Sequence, residues 1–337
     1  MIAAISLLAY AGLLLTAGAA MLARARWAER APRLAIAAWL ALNGSAAGSV
    51  ALGGVALVVP TARVSCHLAH LLATCVLTVR ARYAHPGGAA LTVAGALLAL
   101  AVAGRVMWCT ARALAHARRA GLRHCRRLRV VGRADPRLGA VIVDYGEPAA
   151  YCLPGARRPI VLTTAVIEAL DEAQLAAVLA HERAHQQGRH HLLVLIAGAL
   201  AAAFPHVAAF RHGQEQITRL VELHADDVAA RALPRLTVAE ALLALSAPVA
   251  SGPVPGTRVP GTRGVAAPLV LGAGGSATET RIRRLLGAPA PLGRARAIAV
   301  MAALAVLTAF PFLVLTGPAL TLIGAHYCPP TEAVILG

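Results

Sequence analysis

The sequence predicts a mostly α-helical membrane protein, in which about four transmembrane helices carry an inserted cytoplasmic α+β domain. Of its 337 residues, 58% are hydrophobic and only 14% are charged, and the mean hydropathy is +0.67. Soluble domains carry about 25% charged residues. The apolar residues also form runs of about twenty, long enough for a helix to cross a bilayer. An ordinary soluble domain is therefore excluded.

Four apolar runs are the predicted spans, at residues 2–22, 34–60, 89–108 and 297–322. The first lacks a basic start and is followed by arginines, so we interpret it as a retained span rather than a cleaved signal peptide. Residues 64–79 contain His67 and His70, which favours an outer-face or interfacial helix over a further span.

Arginines predict the orientation of the chain. The net charge is +17, and all 32 basic residues are arginines. They cluster beside the predicted spans, as the positive-inside rule expects, which predicts a cytoplasmic domain with both termini outside. For the same reason we expect the lipid bilayer as a partner and no direct nucleic-acid binding. An arginine-rich, DNA-associated membrane protein remains an alternative.

The predicted domains are a membrane region at 1–110, a cytoplasmic domain at 111–296, the fourth span at 297–322 and an outer tail at 323–337. Inside the cytoplasmic domain, short apolar segments predict a small sheet. These segments are residues 140–144, 149–153 and 160–163. A stretch rich in proline, glycine and serine predicts a flexible loop at 247–277.

An HExxH motif at residues 181–185 predicts a metal-binding catalytic site. Asp171 and Gln174 form a capping-box pattern, which begins a helix that runs past His185. Residues four apart on a helix share a face, so His181 and His185 can bind one Zn²⁺. Glu182 lies about 100° around the helix, where it can act on a water without being a ligand. Such buried polar residues would be costly without a metal.

Glu222 is the predicted third ligand. Two histidines and one glutamate leave a coordination position for water, which is typical of catalytic rather than structural zinc. Asp226, one turn further on, could accept a hydrogen bond from the far nitrogen of a ligating histidine. His224 is a candidate hydrogen-bond donor to the transition state.

The apolar run at 192–210 resembles another span, but a single crossing would separate Glu222 from His181. We therefore predict a helix that is buried in the domain or dips into the membrane, interrupted by Pro205 and His206. The histidines that flank this run lack metal-ligand spacing, so we predict interfacial packing for them. They are His190, His191 and His212.

The six cysteines form no CxxC pair, which argues against a structural zinc site or a disulfide framework. A disulfide among Cys66, Cys75 and Cys328 stays open.

The chain resembles the BlaR/MecR-type integral-membrane zinc metallopeptidases and, more distantly, the HtpX-like proteases. The resemblance rests on the spans and on residues 159–162, 180–185, 222–226 and 281–286. It implies a gluzincin fold and, in the best-known members, cleavage of a BlaI/MecI-type transcriptional repressor in signal transduction. Those members carry an extracellular penicillin-binding sensor domain after the last span. Only residues 323–337 follow here, so we do not expect β-lactam sensing.

The expected activity is a zinc-dependent endopeptidase that cleaves a cytoplasmic protein, with Glu182 as the catalytic base. The strand at 160–163 could pair with an extended substrate. The alternatives are an HtpX-like quality-control protease and a catalytically idle membrane scaffold. The oligomeric state stays open.

Overall fold

The computed structural model describes residues 1–58, 88–153, 159–246, 275–287 and 289–324. The predicted interfacial helix at 64–79, most of the 247–277 loop, and Cys66, Cys75 and Cys328 lie outside these residues. The chain divides into two compact units, one of residues 1–21, 41–106 and 299–337, and one of residues 22–40 and 107–298.

The described residues are mostly helical. The helices are α1 Ile2–Leu13, α2 Ala19–Ala23, α3 Pro32–Val58, α4 Gly88–Val131, α5 Thr164–Ala169, α6 Glu172–Gln187, α7 His190–Ala203, α8 Ala208–Ala232, α9 Arg235–Ser246, α10 Gly275–Gly287 and α11 Arg294–Gly324. The strands are β1 Gly132–Asp135, β2 Ala140–Val143, β3 Ala150–Cys152 and β4 Ile160–Thr163. The predicted loop at 247–277 is wrong at its end, because its last three residues begin α10.

Four helices in the described part of the chain are long and apolar enough to cross a membrane. They are Ile2–Ala23, in which a π-helical segment at Leu14–Gly18 joins α1 to α2, and Pro32–Val58, Gly88–Val131 and Arg294–Thr316. Each overlaps one of the predicted spans. Helix α4 continues for 23 residues beyond the predicted end of the third span at 108, because the arginine-rich segment after it contains no proline.

A proline in α11 creates a polar site inside the first unit. Pro311 has no backbone N–H, so the carbonyl of Leu307, four residues earlier, lacks its usual helical donor. The hydroxyls of Tyr10 and Ser45 both donate to this carbonyl, each at 2.9 Å. The rings of Tyr10 and Phe310 also lie 4.5 Å apart. These contacts hold α11 against α1 and α3.

Two glycines let α3 and α4 approach closely. A Cβ atom at Gly95 would lie 2.6 Å from the Cβ of Leu57 and 2.7 Å from the carbonyl oxygen of Gly54. A Cβ at Gly54 would likewise lie 2.6 Å from the carbonyl oxygen of Gly95. Small residues at such crossings are typical of membrane helices, which associate through close packing.

The second unit contains a four-stranded sheet in the order β1-β2-β4-β3. Strands β2, β3 and β4 match the predicted segments, whereas β1 was not predicted because its sequence, Gly-Arg-Ala-Asp, lacks an apolar pattern. Strand β4 pairs in parallel with β2 and antiparallel with β3. The expected pairing of β4 with substrate is therefore wrong, since both of its edges are occupied. The edge strand on this side is β3.

Alternating side chains of β4 enter two different clusters. Ile160 and Leu162 pack in the main core together with residues of α5, α6, α8, α9 and α10. Val161 points to the other face, where Leu128 of α4 and Leu153 cover it. Both faces of β4 are thus buried. The packing on one face holds the strand against α6.

Candidate active site

Helix α6 begins at a capping box. The Asp171 carboxylate accepts from the Gln174 backbone N–H at 2.8 Å, and the Asp171 backbone N–H donates to the Gln174 side chain at 3.2 Å, which confirms the predicted capping box. In the last turns, His181, Glu182 and His185 are buried. The intervening Arg183 is exposed and donates to the Leu138 carbonyl at 3.1 Å. The motif therefore faces the interior of the unit.

Helices α7 and α8 return the chain to the same site. Helix α7 has 14 residues, about 21 Å at 1.5 Å per residue, which is too short to cross a hydrocarbon core of about 30 Å. The chain turns between Phe204 and Val207, where Pro205 lies, and α8 packs back along α7 and α6. Helix α7 is accordingly not one of the membrane-length helices, and the prediction that the run at 192–210 does not cross the membrane stays a prediction. The hairpin brings Glu222 next to α6.

Three side chains converge on one point. The Nε2 atoms of His181 and His185 lie 3.0 Å apart, and each lies 3.5 Å from an oxygen of Glu222. Zinc bonds of about 2.0–2.1 Å in a tetrahedron require donor atoms about 3.3 Å apart. Oε1 of Glu222 is buried and has no hydrogen-bond partner among the described residues. These donors fit a metal ion such as zinc.

Asp226 holds the other side of His181. Its carboxylate lies 3.0 Å from Nδ1 of His181, the contact that sequence reasoning expected. Arg281 of α10 binds both carboxylates, with bonds of 2.8 and 2.7 Å to Asp226 and an ion pair of 3.1 Å to Glu222. Arg281 was not predicted as a site residue, because only the fold brings α10 to α8.

His190 corrects the sequence interpretation. We expected interfacial packing for it, but it is buried, and its Nδ1 lies 2.8 Å from Nδ1 of His185. The ring of His224 lies 5.3 Å from that of His190. The spacing of five residues between His185 and His190 gave no metal signal, because the contact depends on the turn between α6 and α7. The role of His224 as a donor stays a prediction.

Glu182 is fully enclosed. One of its oxygens, Oε2, has no hydrogen-bond partner among the described residues, and its carboxylate also interacts with the Cys152 thiol of β3. Cys152 was not predicted as a site residue. It places β3, the last strand of the sheet, beside the carboxylate.

Burial and neighbouring charges perturb the pKa values of these groups. Burial, reinforced by Glu222 and opposed by His181, raises the pKa of Glu182 to about 7, near the value that suits a base at neutral pH. Burial alone would lower the pKa of His181, but hydrogen bonds to Asp226 and Glu222 raise it to about 9. Burial and the charge of His181 lower the pKa of His185. The carboxylates of Asp226 and Glu222 therefore favour a positive charge on His181, whereas the surroundings of His185 disfavour one.

An HExxH helix, a glutamate on a neighbouring helix as the third candidate ligand and several membrane-length helices together indicate a membrane metallopeptidase. The model of peptidase family M48 matches residues 118–286, which is half of the chain. The chain belongs to peptidase family M48. Neither curated proteins nor solved structures gave a match. The match covers the sheet, α6, α8 and most of α10, and thus all the site residues described above.

Proposed function

We propose that this membrane peptidase is a zinc-dependent endopeptidase. His181, His185 and Glu222 would hold the ion, and their mutual separations of 3.0 to 3.5 Å support this assignment more directly than any other observation. Zinc, when bound there, would supply a Lewis acid that polarises the scissile carbonyl and lowers the pKa of water. Asp226 orients His181 through its Nδ1 atom.

Glu182 is proposed to move the proton. Its carboxylate would take a proton from the attacking water and deliver it to the nitrogen of the leaving amine. Its burial supports this role, as does its Oε2 atom, which has no hydrogen-bond partner in the described part of the chain and could accept a proton. The substrate would add as a strand to β3, whose Cys152 interacts with Glu182.

The experiment combines metal analysis with peptide hydrolysis on the purified full chain. We expect about one zinc per chain in the wild type, none retained stoichiometrically in His181→Ala or Glu222→Ala, and full zinc without hydrolysis in Glu182→Gln. The glutamine preserves shape but removes the base. Full zinc occupancy in both ligand variants would refute the metal site, and turnover by Glu182→Gln would refute the base.

The proposed membrane arrangement puts the peptidase domain in the cytoplasm, between the third and fourth spans, with both termini outside. The arginine clusters beside the spans support it. Reporter fusions test it: positions 119 and 284 should report cytoplasm and position 330 the outside. Signals from opposite sides at positions 188 and 222 would mean that the run at 192–210 crosses.

The proposed substrate is a cytoplasmic protein, specifically a BlaI/MecI-type transcriptional repressor. The resemblance carried by residues 159–162, 180–185, 222–226 and 281–286 supports it, as does the proposed cytoplasmic site. Repressor length and repressor-controlled transcripts should differ between cells with the wild type and cells with Glu182→Gln. Unchanged repressor under every envelope stress, with misfolded membrane proteins accumulating in the variant, would favour the HtpX-like quality-control alternative.

A further inference from the structure

The two histidines of the HExxH motif are held at both ring nitrogens. Their Nε2 atoms face each other and Glu222. The outer nitrogen of His181 meets a carboxylate, that of Asp226. The outer nitrogen of His185 meets a second imidazole, with Nδ1 of His190 at 2.8 Å and their ring centroids at 4.7 Å. His185 and His190 are only 2% and 1% exposed, so this contact is shielded from bulk solvent.

If His185 binds a metal, the hydrogen positions on the rings of His185 and His190 follow. A ligating imidazole presents a lone pair on the metal-facing nitrogen, so Nδ1 of His185 must carry the hydrogen. Nδ1 of His190 must then accept it, and Nε2 of His190 carries the remaining hydrogen. That Nε2 is buried without a hydrogen-bond partner among the described residues. A buried donor without a partner costs free energy. The contact between His190 and His185 is therefore kept although the Nε2 of His190 has no hydrogen bond of its own.

The turn between α6 and α7 delivers His190 to His185. Arg189 is left-handed, with φ +47°, a conformation that costs free energy for a residue with a side chain. It reverses the chain within two residues of the end of α6. Gly188 makes room for the ring, because a Cβ there would lie 2.6 Å from Cδ2 of His190 and closer still to Nε2. The left-handed backbone of Arg189 and the missing side chain of Gly188 thus both allow His190 to contact His185.

We propose that His190 is a positioning residue that accepts a hydrogen bond from His185 and thereby fixes the tautomer and orientation of the second metal-binding histidine. The Gly188-Arg189 turn is the backbone device that holds it there. The inference rests on the proposed function, in which His185 is a zinc ligand. It assigns to His185 a neutral partner where His181 has a charged one.

The test measures zinc affinity of the purified full chain by competition with a chelator of known affinity. His190→Leu removes the acceptor and should weaken zinc binding about 10- to 100-fold, as loss of such an orienting partner usually does. His190→Asn carries an oxygen near the position of Nδ1 and should stay within about threefold of the wild type, since acceptance is retained. His206→Leu, an exposed histidine in the same hairpin, is the matched control and should change nothing.

A second pair of variants tests the turn without altering either imidazole. Gly188→Ala would push on the His190 ring and should weaken zinc binding, although its own backbone, with φ −73°, tolerates alanine. Arg189→Gly relieves the left-handed strain and should bind zinc like the wild type. This pair decides the question even if His190→Leu does not fold.

Equal affinity in wild type, His190→Leu and Gly188→Ala would overturn the positioning role. Weak binding by both His190→Leu and His190→Asn would also overturn it, because packing rather than hydrogen bonding would then be the cause. A wild type that binds no zinc would instead overturn the proposed function itself. These results are distinguishable, since His181→Ala loses zinc in every case where the metal site is real.

Discussion

At the scale of single residues, the site depends on polar atoms that would be unfavourable separately. Asp226 is fully buried, and burial alone would raise its pKa, but Arg281 lowers it well below its usual value. Asp226 in turn holds His181. The carboxylate, the guanidinium and the imidazole therefore form one network, and the removal of one member leaves the others in a dry environment.

The first prediction concerns Arg281. Its removal in Arg281→Met leaves the Asp226 carboxylate buried without its cation, which should lower the free energy of unfolding by about 3–5 kcal/mol. Asp226→Asn with Arg281→Met should cost less than the sum of the two single changes, because the buried charge at Asp226 is removed together with its cation. Denaturant unfolding measures both. Arg283→Met, in an exposed pair with Glu279 on the same helix, should have little effect. Additive costs would contradict the network.

The second prediction concerns Asp226, whose carboxylate contacts the ring nitrogen of His181 that faces away from the proposed metal. Asp226→Ala should weaken zinc binding about 10- to 100-fold without abolishing it, since Asp226 orients a ligand but is not one. His181→Ala, measured in the same chelator competition, should lose stoichiometric zinc altogether. Equal losses in the two variants would mean that Asp226 itself binds the metal.

At the scale of elements, the helices position the site. Some of them contact one another at a proline or at glycines, which are unusual inside helices. Helices α6 and α8 supply all three candidate ligands, while α10 supplies Arg281. Among the membrane-length helices, Pro311 leaves a carbonyl that other helices must satisfy, and Gly54 and Gly95 allow a close crossing. Each exception identifies a contact that substitutions can test.

The third prediction follows from Pro311. Tyr10→Phe or Ser45→Ala alone should be mild, because the other hydroxyl still donates to the Leu307 carbonyl. Together they leave that carbonyl unpaired in a segment without water, at a cost of about 1–3 kcal/mol. Adding Pro311→Ala should restore stability, because the alanine N–H can donate to Leu307. Thermal unfolding in detergent measures this, and no recovery in the triple variant would contradict the mechanism.

The fourth prediction compares two glycines of α4. Gly95→Ala introduces a Cβ into the α3 crossing and should destabilise the membrane helices. Gly104→Ala meets nothing within 4 Å and should be neutral or stabilising, since alanine favours helix by about 0.5–1 kcal/mol. Thermal unfolding of both variants in the same detergent decides it. An equal response would show that the crossing does not depend on Gly95.

At the scale of the whole molecule, zinc should be coupled to the stability of the peptidase unit, because its ligands come from two helices that meet only in the folded state. This gives the fifth prediction. Chelation should lower the unfolding temperature, and free zinc at 100 times Kd should add about 2.7 kcal/mol. The stability of His181→Ala should not respond to zinc. A wild type whose unfolding temperature is independent of zinc would contradict the coupling.

The sequence by itself determined the features that depend on short-range patterns. Apolar runs of about twenty residues indicated the membrane-length helices, a three-residue spacing gave the capping box of α6, and HExxH indicated His181, Glu182 and His185 because helical geometry joins residues four apart. Glu222 and Asp226 could be proposed because the motif required a third ligand and an orienting partner. Strand β1 could not, since its four residues carry no periodic signal.

Only the tertiary structure decided which residues meet across elements. Arg281 reaches Asp226 from 55 residues away, Cys152 reaches Glu182 because the sheet ends beside α6, and β4 proved to be an inner strand because β2 and β3 both pair with it. His190 lies only five residues from His185, yet its contact depends on a left-handed residue that no apolar pattern indicates. Local sequence fixes the geometry within one helix or strand, whereas contacts between elements depend on how all of them pack.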